Sequence, residues 1–523
     1  MKLSRRSILA ASAAAPFIST RALGATGRIL VHSERHRGAI DKNIFGNFIE
    51  HLGRCITGGI LDEGNPLSDA KGYRRDVMTA VKDLSVPLLR WPGGNFSSNY
   101  NWRDGIGPVS QRPPRLDMAW GAIEDNHFGT HEFLDYCAQI NTDPYICFNL
   151  GTGSWAEAQQ WLEYVNGTSD TEITRLRKKN GREQPWKVTY WGLGNEMDGY
   201  WQMGHRSASD YGAYALEAAK LAKLTDPDVK LIAAGASNFR PGSDWIGWNR
   251  TVLEYLKDYA DYIALHLYVG NPDNDYADFM ASAVEMDQKI EILEGLITAA
   301  MSTRIDRLTG APQRDGRKMY IALDEYNVWY RNRGPSQRGR RILEEQYNLE
   351  DALVIAGFLN SIINHADTVK MANMAQLVNV IAPIFTNEKG LFLQTIFYPL
   401  QLFTKNVKGN SLELLVNGPT YNCRRFDNVP YIDASGSIDG NDLVINVVNR
   451  HRTEAMEVTI GLEDKRFDGG ISVSEVNGPD IKSRNDFGST TVATRNSNAG
   501  ASGNSVVHSF APHSYTQIRA RLA

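Results

Sequence analysis

A (β/α)8 barrel followed by an antiparallel β-sandwich of the jelly-roll kind is the α/β fold that this sequence predicts, and three observations predict it. Eight short β-rich runs alternate with longer helix-like stretches through residue 404, and eight parallel strands are the number that closes a barrel. From residue 405 onward the helical periodicity stops, and period-two alternation punctuated by turn residues takes over. The loop after the first run lacks the phosphate-cradling glycine pattern that the runner-up, an open doubly wound sheet, would need there. The expected organisation is a targeting segment over residues 1–25, a catalytic barrel over 41–404, and a sandwich built from 26–40 together with 405–523.

The barrel strands are expected at 44–49, 86–90, 145–149, 188–193, 231–235, 262–268, 319–323 and 369–374. Helix-like stretches lie between most of them, at 73–84, 130–139, 208–224, 278–300 and 344–365. In the C-terminal region, 443–448, 456–460, 471–476 and 515–519 alternate like antiparallel strands. Asp439-Gly440-Asn441 and Asn477-Gly478-Pro479 supply turns between them. A Ser/Asn/Gly/Thr-rich stretch over 489–505 is expected to be a long mobile loop, and a strand at 28–32 to pair with the sandwich.

The 523 residues are 42% hydrophobic and 22% charged, which excludes a disordered chain. A formal charge of -4 leaves no electrostatic footprint for nucleic acid and suits a neutral substrate. The four cysteines, Cys55, Cys137, Cys147 and Cys423, match no zinc or redox spacing and are expected to be free thiols. Ser4-Arg5-Arg6-Ser7-Ile8-Leu9 places paired arginines before a short apolar run, with small residues at Ala22, Gly24 and Ala25. This pattern predicts a twin-arginine-type export signal, with a Sec signal as the plainer alternative, and hence a periplasmic or secreted protein. At about 11 residues the apolar run is too short to span a bilayer, so no membrane partner is expected in the mature form.

In such barrels the reacting groups sit at the C-terminal ends of the strands. Those ends read Glu50-His51, Arg90 followed by Trp91-Pro92-Gly93-Gly94-Asn95, Asn149, Asn195-Glu196, Ser237-Asn238, His266 and Tyr268, Asp324-Glu325, and Gln376. A ring of amides, acids and a phenol suits a ligand covered in hydroxyl groups. Glu196 and Glu325 each close a short apolar run, and two carboxylates facing one cleft are what hydrolysis of a glycosidic bond requires. Trp91, Trp120, Trp191 and Trp329 are candidates to stack on a sugar ring, or to pack in the core. Arg90 is expected to hold a carboxylate ionised, with Glu50 as a candidate partner. Asp324 is expected to face away from Glu325, because neighbours on a strand point to opposite faces.

Three other patterns point elsewhere and are set aside. Gly151-Thr152-Gly153-Ser154-Trp155-Ala156 fits a loose dinucleotide pattern, but Trp155 would crowd a pyrophosphate and the strand before it is the third of the series. His127 and His131 have helical metal-ligand spacing, without the intervening Glu or a third ligand that a zinc site needs. Asn166-Gly167-Thr168 matches a glycosylation acceptor, which a bacterial export signal argues against.

Six stretches taken together are specific. They are Phe48-Ile49-Glu50-His51-Leu52-Gly53-Arg54, Arg90-Trp91-Pro92-Gly93-Gly94-Asn95, Tyr100-Asn101-Trp102-Arg103-Asp104-Gly105, Gly194-Asn195-Glu196-Met197-Asp198-Gly199, Asp324-Glu325-Tyr326-Asn327-Val328-Trp329-Tyr330 and Ala375-Gln376-Leu377-Val378-Asn379-Val380-Ile381-Ala382-Pro383. Through them the chain resembles the α-L-arabinofuranosidases of glycoside hydrolase family 51 over about residues 40–400. The resemblance implies retention of configuration, with Glu196 as acid/base and Glu325 as nucleophile. It implies that Glu50, Asn95, Asn195, Tyr268 and Gln376 bind the terminal arabinofuranosyl unit, and Arg90, His266, Trp120 and Trp329 join them as candidate substrate-binding residues. It implies no cofactor and no metal, arabinose-containing oligosaccharides or polysaccharides as partners, and a homo-oligomer, commonly a hexamer. Two departures stand out: the export signal, and Tyr326 where many relatives carry Trp. The alternatives are another retaining glycosidase on the same barrel (a β-xylosidase or endo-glucanase), a non-catalytic carbohydrate-binding protein, and an exported oxidoreductase.

Overall fold

The computed structural model describes residues 27–306, 309–313, 315–330 and 341–523; the expected targeting segment, residues 1–25, lies outside them. The first strand, β1 (Gly27–Ala39), leads into a closed barrel. The barrel strands are β2 (Gly46–Phe48), β3 (Leu88–Trp91), β4 (Asp143–Cys147), β5 (Tyr190–Leu193), β6 (Lys230–Ala233), β7 (Tyr262–Val269), β8 (Tyr320–Val328) and β9 (Val369–Ala375). They pair in chain order, all parallel, and β9 closes on β2. Helices wrap the outside: α1 (Arg75–Leu84), α2 (Thr130–Ile140), α3 (Trp155–Asn166), α4 (Ala208–Thr225), α5 (Trp245–Leu256), α6 (Ser282–Ser302), α7 (Leu349–Asn364) and α8 (Phe397–Asn406). Their starts carry local signals. Ser154 and Glu157 form a reciprocal cap on α3, and Asn348 and Asp351 another on α7, satisfying backbone donors that a helix leaves open.

Side-chain parity sorts each strand into an inner and an outer face. On β3, Leu88 and Arg90 point into the barrel while Leu89 and Trp91 pack outward. Leu88, Tyr145, Ile232, Tyr262, Ala264, Ala322 and Met371 form an apolar floor inside the barrel. Gly192 keeps room above it, because a Cβ there would lie 2.8 Å from the Tyr145 hydroxyl. Trp91 and Trp191, expected either as sugar platforms or as core, fill the layer between barrel and helices with no exposed surface. Trp91 stacks on Phe133 at 5.0 Å and Trp191 on Phe148 at 4.8 Å. Their strands run in pleats, and parity puts an indole next to an inward Arg90 or Tyr190 on the outer face.

β8 breaks this rule, and the break matters. Ile321 and Leu323 pack outward, and so do Tyr326 and Val328, so parity switches between residues 323 and 326. The pairing register shifts at the same place against both β7 and β9. Such a bulge turns two successive residues to one side. Asp324 therefore does not face away from Glu325: both carboxylates reach the Arg90 guanidinium inside the barrel.

The strands of the second large sheet are β10 (Asn410–Asn417), β11 (Ile432–Asp439), β12 (Asp442–Asn449), β13 (Met456–Leu462), β14 (Phe467–Asn477), β15 (Ala493–Ala499), β16 (Ser505–Phe510) and β17 (Ser514–Leu522). With β1 they pair in the order β15-β14-β17-β12-β11-β10-β1-β13-β16, antiparallel except for β1 with β13. Strands from both halves of this order share one apolar core, including Val31, Leu412, Ile445, Val458, Val473 and Ile518. The stretch 489–505, expected as a mobile loop, contains the edge strand β15, paired with β14 from Ala493 to Ala499. Its polar composition hid it, because an edge strand is held by backbone bonds and needs no apolar face. The domain packs on the barrel through α7: Asn360 donates to Asp433 at 2.9 Å and accepts from Ser435 at 2.7 Å. No helix among the described residues is long and apolar enough to cross a membrane.

Candidate active site

Above the apolar floor the barrel interior becomes charged. Asp324 accepts hydrogen bonds from the Tyr145 hydroxyl and the Asn373 amide, both at 3.0 Å. It also lies 3.5 Å from Arg90 Nε, and this cation holds its carboxyl below the ordinary range despite burial. Arg90 is fully buried, with its guanidinium 4.6 Å from the Phe48 ring centroid. It donates to Glu325 Oε1 at 2.7 Å and to Asn195 Oδ1 at 2.5 Å. Its carboxylate partners are thus Glu325 and Asp324, not Glu50. Glu325 receives a second donor at 2.7 Å, the Tyr268 hydroxyl.

Glu196 stands opposite, just past the end of β5, in a left-handed backbone conformation with φ of 46°. Its Oε1 lies 3.0 Å from His266 Nδ1, and its Oε2 accepts from the Trp201 indole at 2.6 Å. Burial raises the Glu196 carboxyl above the ordinary range; the His266 hydrogen bond pulls it down, and the Glu325 charge pushes it up again. His266 Nδ1 is also 3.6 Å from Glu325, and Nε2 is 4.0 Å from Asp324. Burial alone would lower the imidazole, but the Glu325 charge and the bonds to Asp324 and Glu196 lift it to about 10.

One donor atom each from Glu196, His266 and Glu325 lie within 4.8 Å of one another. That spacing would admit a metal ion, but a protonated imidazole is not a ligand. The facing oxygens already accept from Arg90, Tyr268, Trp201 and His266, so the donor set fits paired acids better than a metal centre.

Glu50 borders the same cavity from the end of β2. Its Oε1 accepts from the Phe96 backbone N–H at 2.8 Å and the Trp120 indole at 3.0 Å, and its Oε2 from the Gln376 amide at 3.1 Å. Burial nevertheless pushes its carboxyl up to about 8. Trp329 meets the Tyr268 ring edge to face at 5.3 Å.

The cavity holds about 590 Å³, room for a sugar ring with space beyond it, and opens to solvent. Glu50, Asn95, Trp120, Glu196, His266, Tyr268, Glu325, Trp329 and Gln376 all line it. Arg90 and Asn195 are not among its lining residues; Arg90 bonds both Glu325 and Asn195. The Asn195 side-chain Nδ2 is buried without a hydrogen-bond partner. Trp201 was missed by sequence reasoning. Its only local signal is an aromatic residue five positions past Glu196 in the loop that follows the strand. The decoys go to structural uses: Asn149 Oδ1 accepts from the backbone of Gly151, Thr152 and Gly153, His127 pairs with Glu63, and His131 with Tyr164.

Two facing carboxylates at the C-terminal mouth of a (β/α)8 barrel, in a sugar-sized polar cavity, define a glycoside hydrolase. Sequence profiles described as the α-L-arabinofuranosidase 1 domain and the α-L-arabinofuranosidase C-terminal domain match residues 80–287 and 324–514. The intracellular exo-α-(1→5)-L-arabinofuranosidase 1 of Bacillus subtilis is 39% identical over 505 residues, covering 94% of this chain and 98% of its own. Its counterpart from Halalkalibacterium halodurans is 40% identical, covering 85% and 88%. The arabinose complex of the Thermotoga maritima α-L-arabinofuranosidase superposes with a TM-score of 0.86 at 37% identity, over 95% of this chain and all of the other. The family 51 enzyme of Thermotoga petrophila does so with 0.86 at 38%, over 94% and 99%. The chain belongs to the α-L-arabinofuranosidases of glycoside hydrolase family 51.

These relatives correct one expectation. The two bacterial enzymes above, and a third from Acetivibrio thermocellus that is 37% identical over 90% of this chain, are all named as intracellular. The expectation of export through a twin-arginine-type signal is therefore withdrawn. An arginine doublet before a short apolar run is a compositional signal carried by few residues, and it is outweighed by whole-chain similarity to intracellular enzymes.

Proposed function

We propose that the protein removes terminal, non-reducing α-L-arabinofuranosyl residues from arabinose-containing glycans by double displacement with retention. Glu196 serves as acid and then base, and Glu325 as nucleophile. The observation that carries this reading is the separation of the two carboxylates. One oxygen of each lies within 4.8 Å of the other, in keeping with the ~5–5.5 Å of retaining enzymes and short of the ~6.5–9.5 Å that inversion needs.

Each step has its group in place. Glu196 starts protonated because burial and the Glu325 charge raise its carboxyl, so it can give its proton to the leaving oxygen. Glu325, oriented by Arg90 and Tyr268, attacks the anomeric carbon. Once it is esterified its charge is gone, the Glu196 carboxyl falls in pKa, and Glu196 takes a proton from the incoming water. Glu50, Asn95, Asn195, Tyr268 and Gln376 hold the arabinofuranosyl hydroxyls, with Trp120 and Trp329 closing the sides. The division into a barrel over 41–404 and a second domain from 26–40 with 405–523 belongs to this reading. So does a homo-oligomer, a hexamer by family resemblance, which rests on family membership alone.

Glu325→Ala should abolish turnover of aryl α-L-arabinofuranosides, and azide should restore it with a product of inverted configuration. Near-normal activity without azide would remove the nucleophile assignment. Matching rates on aryl xylosides or glucosides in the unmodified protein would favour another glycosidase specificity.

A further inference from the structure

The loops after β5 and β6 are tied together at the mouth of the cavity. Asp198 accepts from the backbone N–H groups of Ser237 and Asn238, both at 2.8 Å, and from the Ser237 hydroxyl at 2.5 Å. This brace sets Tyr200 and Trp201 beside Arg240. The two rings meet edge to face at 5.2 Å and stay 59% and 37% exposed, although apolar surface of this size is normally covered. The Arg240 guanidinium lies 4.8 Å from the Tyr200 centroid and 5.8 Å from that of Trp201, and it donates to the Tyr200 hydroxyl. It has no carboxylate partner among the described residues. All three side chains border the cavity, and Trp201 holds the outer oxygen of Glu196.

We propose that Tyr200, Trp201 and Arg240 form a leaving-group subsite that favours a sugar bearing a carboxylate, a uronate, over its neutral counterpart. The inference rests on Glu196 being the acid that protonates the leaving oxygen, because that places the departing sugar on the Trp201 side of the carboxyl. Exposed aromatic faces stack on the C–H faces of a sugar ring, and a guanidinium fork matches a carboxylate with two parallel hydrogen bonds.

Two disaccharide substrates test it: an α-L-arabinofuranosyl unit on methyl galacturonide and the same unit on methyl galactoside. They differ only at C6 of the leaving sugar. The full-length protein is expected to show kcat/KM about tenfold higher on the uronide at low salt, a preference that shrinks at about 0.5 M NaCl. Arg240→Gln should erase the preference, bringing kcat/KM on the uronide down to the value for the galactoside. Tyr200→Ala should lower kcat/KM on both disaccharides several-fold. Equal kcat/KM on the two disaccharides in the unmodified protein, or a preference that survives Arg240→Gln, overturns the subsite and leaves the glycosidase reading intact. Failure to hydrolyse 4-nitrophenyl α-L-arabinofuranoside overturns both.

Discussion

The hydrogen bond from Trp201 to Glu196 offers a direct test of how the proposed acid is tuned. Trp201→Phe keeps a ring in the same place and removes the indole N–H that donates to Glu196 Oε2 at 2.6 Å. That bond favours the ionised carboxylate, so its loss raises the Glu196 pKa. A hydrogen bond to a charged group contributes about 1.5–3 kcal/mol, and about 1.4 kcal/mol corresponds to one unit, which would mean a rise of roughly one to two units. Trp201 is 37% exposed, so water replaces part of the lost bond and the lower end, about one unit, is the expected size. The basic limb of the kcat/KM profile reports the acid in the free enzyme. It should therefore move about one unit to higher pH on an aryl arabinofuranoside. A basic limb that stays in place, or moves toward lower pH, would show that Trp201 does not tune the acid and that another group sets this limb.

Three further outcomes follow from the same geometry. Arg90→Met leaves Glu325 and Asp324 as buried carboxylates without their cation, and urea unfolding should show a loss of about 3–5 kcal/mol; a loss below about 1 kcal/mol would contradict the buried-pair account. Gly93→Ala puts a Cβ 2.5 Å from Glu50 Cγ and should cut kcat/KM by on the order of a hundredfold through displacement of Glu50, with an unchanged value arguing against a role for Glu50. His266 is raised in the folded state to about 10, so its stabilising contribution is fully present below its ordinary value of about 6.5 and is lost as pH rises through about 10. The fall in Tm across that interval should be smaller in His266→Gln than in the unmodified protein, and equal slopes would remove His266 as the titrating group.

Much of the site was legible because barrel chemistry sits at strand ends, and the strand ends were visible as polar residues closing short apolar runs. Glu50, Glu196, His266, Tyr268, Glu325 and Gln376 were found that way, and all border one cavity. Trp201 was not, because it belongs to a loop and is brought to Glu196 by the course of that loop rather than by any repeating pattern. Trp91 and Trp191 stayed open between sugar platform and core packing, since an indole near a reactive strand end looks the same in sequence whether it turns toward the cavity or the helices. Asp324 was assigned to the wrong face because the period-two rule assumes an unbroken strand, and β8 is bulged there. The edge strand β15 was hidden by a polar composition that backbone pairing tolerates.

Sequence alone determined the alternation of eight strands with helices, the change to antiparallel strands near residue 405, and the two glutamates at strand ends, because each is a local pattern of side-chain polarity. Only the tertiary structure decided that Arg90 serves Glu325 and Asp324 rather than Glu50, that His266 bridges both glutamates, and that Trp201 and Arg240 meet at the cavity mouth. The physical reason is that these depend on strand register, a bulge and the closure of the barrel, which set the distance between residues far apart in the chain.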